Sequence, residues 1–395
     1  MKEMLDGNEA AAVAAKLARV RVVSAYPITP QTTVVEKLAE FIAKGELDAE
    51  FIKVESEHSA MSACIGAAAT GVRTFTATSS QGLMLMSEML FVAAGMRLPI
   101  VMTNANRALS APLNIWCDQQ DSMAVRDSGW LQLYCENNQE ILDTTIQAFK
   151  IAEEVMLPVM VCYDGYILSH TVEPVDVPEQ AAVDDFLPLR TYPHPLDPEK
   201  PVTLGPVGVP EYYTEIRYLL QEEMLEAKKR VKAVGREFRK KFGRRSDIIE
   251  SHQTEDADVV LVTLGALAGS LREVVERFRK KGVKVGMVKV KLFRPFPAKE
   301  LMETLDGVKG VGVVEKDISL GSAGAVFLDL AASLASLRKP PVLMNFICGL
   351  GGRDVTDLQL ATAIKETAKA AAAGQAKHPV KWLGLREKVV GVEKG

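Results

Sequence analysis

Two carboxylates stand two residues apart in Val54-Glu55-Ser56-Glu57-His58-Ser59-Ala60, where a β-branched run gives way to an Ala-rich helical pattern. A carboxyl in such a place either offsets the partial charge of a helix N-terminus or exchanges a proton in a reaction. The spacing leaves both uses open. Arg107 closes the run Thr103-Asn104-Ala105-Asn106-Arg107, and its planar fork suits a carboxylate held by two hydrogen bonds. An internal ion pair to Asp118, Asp121 or Asp127 is the competing use. Ala77-Thr78-Ser79-Ser80-Gln81-Gly82 is a small polar turn feeding a Met-rich helix, and the backbone amides of such a turn can cradle an anion. In Ala25-Tyr26-Pro27-Ile28-Thr29-Pro30-Gln31-Thr32, two prolines fix φ and stiffen a loop that presents hydroxyls and amides in one geometry. The plainer reading is a rigid lead into a helix capped by Thr29 or Thr32.

These segments share one position relative to the elements around them. Short apolar runs at residues 20–26, 51–55, 72–78, 99–104, 131–136 and 158–163 read as strands. Helical patterns at 7–19, 34–44, 59–70, 83–95 and 139–156 alternate with them. Buried strands alternating with helices make a parallel, doubly wound α/β sheet, whose ligands sit beyond the carboxyl ends of the strands. All four segments fall just past strand ends.

Nine prolines between Pro174 and Pro210 mark an extended connection. The charged stretch 211–243 carries apolar residues at helical spacing, so it reads as a helix packed on one face. Its basic end, Arg236 to Arg245, reads as a solvated helix end and linker. A second α/β unit begins near Ala257 with DVVLVTL, followed by a helix closed by Gly282. The expected division is 1–170, a connector with its helix at 171–254, a second domain at 255–370 and a tail at 371–395.

Absent motifs narrow the chemistry. There is no GxxxxGK[ST], no strand–GxGxxG–helix and no HExxH. Asp164-Gly165 lacks the spaced Asn of a magnesium–diphosphate site, and Gly310-Val311-Gly312 precedes a strand instead of opening a helix. A substrate rim without a phosphate cradle is the pattern of half an interfacial site. Five cysteines with no CxxC pair give no disulfide framework and no metal or cluster ligand set. A net charge of −4 over 395 residues offers no electrostatic grip on nucleic acid or an anionic membrane. With no secretory signal or membrane-length apolar run, a cytoplasmic location is expected.

Taken together, YPITPQT (26–32), ESEHSA (55–60), TATSSQG (76–82) and NRALSAPLNIW (106–116) resemble the α subunit of the 2-oxoacid:ferredoxin oxidoreductase family. The second unit resembles that family's transketolase-C-terminal-type domain, with LFRPFP (292–297) as its signature. The resemblance implies a thiamine-diphosphate-binding, pyrimidine-type first domain. Glu57 then matches the acid that hydrogen-bonds the aminopyrimidine ring, favouring the imino tautomer that deprotonates the thiazolium carbon to the ylide. Thr29 and Arg107 match residues that hold the substrate carboxylate, while Tyr26, Pro27, Ile28, Ser80 and Gln81 match the cofactor wall. By the same resemblance, Mg²⁺, the diphosphate and a [4Fe-4S] cluster belong to a β subunit. Further clusters lie on a ferredoxin-like subunit, external ferredoxin is the acceptor, and no metal is held by this chain.

One stretch departs from the pyruvate pattern. Where pyruvate enzymes more often carry Asp-His-x-Asp, this chain has Cys117-Asp118-Gln119-Gln120-Asp121. Gln119 and Gln120 are expected to offer donors to a second carboxylate, which points to oxalate, split to two CO₂ without coenzyme A. Pyruvate, a 2-oxoglutarate or branched-chain 2-oxoacid, and a non-catalytic scaffold are the alternatives.

Overall fold

The computed structural model describes residues 2–192 and 194–391. Pro193 of the connector and residues 392–395 of the tail lie outside the described residues. The chain forms two compact units, one running to Ile248 with Lys291–Pro297 added, the other comprising Ile249–Val290 and the chain from Ala298 onward.

The first unit opens with β1 (Lys2–Leu5), α1 (Gly7–Leu17), β2 (Val22–Ser24), α2 (Thr32–Ala43), β3 (Glu50–Ile52) and α3 (Glu57–Ala69). There follow β4 (Thr74–Thr78), α4 (Ser80–Leu85), α5 (Ser87–Gly95), β5 (Val101–Asn106), α6 (Gln120–Ala124) and β6 (Leu131–Tyr134). It continues through α7 (Asn138–Val155), β7 (Val159–Asp164), β8 (Glu173–Asp176), α8 (Gln180–Phe186) and the long α9 (Pro210–Phe242).

The chain then passes through the second unit as β9 (Ile249–His252), β10 (Val259–Thr263), α10 (Leu267–Arg279) and β11 (Val285–Val290). It returns to the first unit for β12 (Leu292–Arg294). The rest is α11 (Ala298–Leu305), β13 (Gly310–Glu315), α12 (Ala325–Leu334), β14 (Val342–Ile347), α13 (Asp357–Ala373), β15 (Val380–Trp382) and α14 (Glu387–Val390).

The first unit's sheet has seven strands in the order β12-β6-β7-β5-β4-β2-β3, parallel except for β12 on β6. Every residue of β4, β5 and β7 is buried, as a strand covered by helices on both faces requires. Asp6 starts α1 with a capping box closed by Glu9, and the Ala-rich helix is buried over most of its length. The second unit's sheet, β15-β14-β13-β10-β11-β9, is likewise parallel except for β9.

Four expectations change. LFRPFP does not mark the second unit, because β12 pairs with β6, Leu292 opposite Leu133 and Arg294 opposite Gln132. Leu292 and Phe293 are fully buried there, and each such side chain contributes about 1.5–3 kcal/mol by leaving water. The second unit begins at Ile249, with an antiparallel edge strand whose polar sequence gives no strong strand signal. The helix expected at 83–95 is two helices meeting at Met86, and the first begins at Ser80. The Pro-rich connection is not wholly extended: β8 pairs with β1, and α8 follows.

Candidate active site

Glu57 is the first residue of α3. Ser56 caps the helix, its hydroxyl accepting the Ser59 amide at 3.3 Å. The two acids then part company. Glu55 is exposed and accepts the Ser59 hydroxyl, which holds its carboxyl below the usual range. Glu57 is turned inward at 6% exposure, and among the described residues its carboxyl finds only its own backbone amide. Burial pushes its pKa above the ordinary carboxylate value, because the charged form loses water without gaining a cation.

Gly82 faces this acid. A Cβ on it would stand 2.5 Å from Glu57 Oε1 and 2.6 Å from Thr78 Oγ1. Among the described residues the Thr78 hydroxyl is itself buried without a hydrogen-bond partner. A buried carboxyl and a buried hydroxyl therefore share one small space, and both can accept a polar partner.

On the same helix, Ser80 takes φ 49°, an uncommon conformation for a residue with a Cβ. Its hydroxyl lies 2.5 Å from the Ala108 carbonyl and 2.6 Å from Gln81 Oε1, with its one proton shared between these two acceptors. Its amide donates to Asp121 Oδ2 at 2.9 Å. The turn expected to cradle an anion thus spends the Ser80 amide on the protein's own carboxylate.

Arg107 follows β5 and is 6% exposed. Its guanidinium donates to the carbonyls of Asn114 at 3.0 Å and Thr29 at 2.8 Å, and to Gln81 Oε1 at 3.2 Å. None of Asp118, Asp121 or Asp127 pairs with the guanidinium among the described residues; Asp121 instead accepts the Arg107 main-chain amide at 3.2 Å. Burial lowers the Arg107 pKa, and the Asp121 charge raises it in turn.

The loop from Tyr26 to Pro30 closes the site. Tyr26, Pro27 and Thr29 are exposed, and Ile28 is half-buried. Neither Thr29 nor Thr32 caps α2; its N-cap is Gln31, which makes no side-chain cap. Gln31 instead donates to the Ala77 carbonyl at 2.5 Å. From behind, Asn8 donates to the Pro30 carbonyl at 2.7 Å and accepts the Tyr163 hydroxyl at 2.7 Å. A pinned loop of this kind presents its outer face without rearrangement.

The structure thus brings Glu57, Ser80, Gln81, Arg107 and Thr29 around the start of α4. Gln119 is a correction. It is 1% exposed, and its amide donates to Asp164 Oδ1 at 3.1 Å, so a structural carboxylate holds the donor meant for substrate. Gln120 is half-buried at the start of α6. Sequence reasoning missed Asn104, Asn106 and Asp121 as one buried cluster. The signal was two Asn at alternate positions of an otherwise apolar strand end, which share one face.

Among the described residues no three His, Cys, Asp or Glu side chains are grouped to hold a metal ion. None of the described helices is long and apolar enough to cross a membrane.

Two family matches cover both units. Residues 13–236 match "Pyruvate flavodoxin/ferredoxin oxidoreductase, thiamine diP-bdg", and residues 257–360 match "Pyruvate:ferredoxin oxidoreductase core domain II". Pyruvate synthase subunit PorA of Pyrococcus furiosus is 52% identical over 99% of both chains. PorA of Methanocaldococcus jannaschii is 54% identical over 98% of both. Ketoisovalerate oxidoreductase subunit VorA of Pyrococcus abyssi is 49% identical over 98% of both. Among solved structures, 2-oxoglutarate:ferredoxin oxidoreductase from Magnetococcus marinus superposes with TM-score 0.72 at 22% identity, over 93% of this chain and 65% of that one. A split-gene transketolase in its inactive β4 tetramer gives TM-score 0.54 at 13% identity, over 91% of this chain and 98% of that one. At these identities the two structures speak for the fold alone.

Proposed function

Since the chain belongs to the 2-oxoacid:ferredoxin oxidoreductase family as an α subunit, we propose that it supplies the proton-holding acid and the carboxylate clamp of a pyruvate-oxidising site. Glu57 carries the reading: a buried carboxyl with raised pKa and, among the described residues, no side-chain partner is suited to hold a proton at neutral pH.

The residues present suit thiamine diphosphate at its pyrimidine end. Glu57 and Thr78 both abut Gly82, and the Thr78 hydroxyl makes no hydrogen bond among the described residues. A ring bearing a nitrogen and an amine would give both a partner. When bound, thiamine diphosphate supplies the carbon nucleophile and electron sink for breaking the bond next to a 2-oxo group. Glu57 Oε holds and returns the proton at the ring nitrogen. Arg107 keeps N–H groups for the substrate carboxylate, since its partners on the chain are neutral oxygens. Thr29, exposed beside it, orients the same carboxylate. Tyr26 to Ile28 with Ser80 and Gln81 line the wall. In this reading the diphosphate, Mg²⁺ and a [4Fe-4S] cluster are held by a β subunit. Further clusters on a ferredoxin-like subunit pass electrons to external ferredoxin, and the complex works in the cytoplasm.

Oxalate, suggested by the 117–121 loop, is not supported. The relatives at 48–54% identity are named for pyruvate and ketoisovalerate, and the Gln119 amide is held by Asp164. Pyruvate is preferred because the pyruvate synthase subunits reach 54% identity and the ketoisovalerate subunits 49%. The test is dye or ferredoxin reduction by the purified complex with pyruvate, ketoisovalerate or oxalate, with and without coenzyme A. Pyruvate with coenzyme A should give the highest kcat/KM. Turnover of oxalate alone, without coenzyme A, would overturn the assignment.

A further inference from the structure

Asp121 is the most heavily bonded carboxylate of the site, yet the proposed chemistry gives it no task. It is fully buried. Its Oδ2 accepts from the Ser80 amide at 2.9 Å, Asn104 Nδ2 at 3.0 Å and the Arg107 amide at 3.2 Å. Its Oδ1 accepts from Asn106 Nδ2 at 2.7 Å and the Ser122 amide at 2.8 Å. Every one of these contacts comes from a donor. A protonated carboxyl would turn an O–H toward an N–H, so the arrangement calls for the anion. Burial raises the Asp121 pKa above the ordinary carboxylate value, and the Ser80, Asn106, Asn104 and Arg107 donors pull it back toward the anion.

Resting on the functional reading above, we propose that Asp121 is a positioning residue for the substrate clamp. It is a buried counter-charge that fixes the Arg107 and Ser80 main chains while leaving the Arg107 guanidinium open. The physical problem it solves is specific. A guanidinium at 6% exposure needs a nearby negative charge, but a carboxylate in its fork would occupy the donors meant for substrate. Asp121 supplies the charge through the main-chain amide, and among the described residues the fork keeps only neutral oxygens. The same anion holds Ser80 at its positive φ, and Ser80 in turn bonds Gln81, the third partner of the guanidinium.

Asp121→Asn tests this in the complete complex. Whichever way the amide is turned, its NH₂ faces at least two of the five N–H donors. The expected result is a KM for the 2-oxoacid raised by about tenfold or more, while substrate-free proton exchange at the thiazolium carbon stays within about twofold. That exchange depends on Glu57, not on the clamp, and a general loss of structure would slow it as well. An unchanged KM, or a rise in KM matched by an equal fall in exchange, overturns the proposal. Should this variant fail to assemble, Asn106→Ala removes the shortest bond to the carboxylate and leaves its charge. It should raise KM by about threefold or more, and an unchanged KM again overturns the proposal. A wild-type complex inert toward every 2-oxoacid overturns the functional reading and this inference with it. An active wild type with an unmoved variant overturns this inference alone.

Discussion

Gly82 leaves the Glu57 carboxyl its space: a Cβ at residue 82 would lie 2.5 Å from Glu57 Oε1, closer than non-bonded atoms approach. Gly82 sits inside α4 with no positive φ, so an alanine suits the backbone and gains about 0.5–1 kcal/mol of helix propensity. Gly82→Ala should therefore keep the fold and displace the acid. The expected outcome is a thermal midpoint near wild type with turnover down at least about tenfold. The check is a melting curve beside a rate measurement, and a fully active Gly82→Ala variant would count against Glu57 as the working acid.

Arg107→Lys separates charge from geometry. Lysine keeps the cation but cannot reach the Asn114 and Thr29 carbonyls and Gln81 together, as the fork does. An unmade hydrogen bond to a charged group costs about 1.5–3 kcal/mol, so KM should rise by about tenfold or more for every 2-oxoacid tried. Equal KM values in wild type and variant would remove Arg107 from the clamp.

Gln119→Leu should behave as a structural change. The lost bond leaves Asp164 Oδ1 without that donor in a buried place, at a cost of about 1–3 kcal/mol. A denaturant midpoint shifted downward, with the preference among pyruvate, ketoisovalerate and oxalate unaltered, is expected. A changed preference at unchanged stability would restore Gln119 to the substrate.

Glu57 also sets a pH dependence. Its folded-state pKa lies above the ordinary value of 4.5, so between those two values the folded chain binds the proton that the unfolded chain has released. Its contribution to stability is present below 4.5 and is lost as pH rises through the folded value. Glu57→Gln removes that slope. Thermal midpoints of the chain across this window should converge toward acid and favour the variant at higher pH; parallel curves would mean the acid is not buried as described.

Residue type and position at strand ends carried much of the site. Glu57, Arg107 and the Pro27–Pro30 loop stand beyond β3, β5 and β2, where a parallel sheet places its ligands. Side-chain direction was not legible in the same way. Nothing local says that Gln119 turns in to Asp164, or that Glu55 lies exposed while Glu57 is buried. Convergence over long separations was hidden as well. Asp121 draws together residues 41, 17, 15 and 14 positions away, and β12 returns to β6 across the whole stretch that forms β9 to β11. The break at Met86 has no Gly or Pro to announce it.

The central claim is that the Glu57 carboxyl, and not its shape, activates the bound cofactor. The direct measurement is the rate of hydrogen–deuterium exchange at the thiazolium carbon in the complete complex, without substrate, for wild type and Glu57→Gln. Glutamine keeps the size and loses the ionisable proton, and a positioned acid–base group is worth about 10²–10⁴ in rate. Slowing within that range, with thiamine diphosphate still bound, is the expected result. An exchange rate equal to wild type would contradict it and return Glu57 to the role of a partner for the α3 helix dipole.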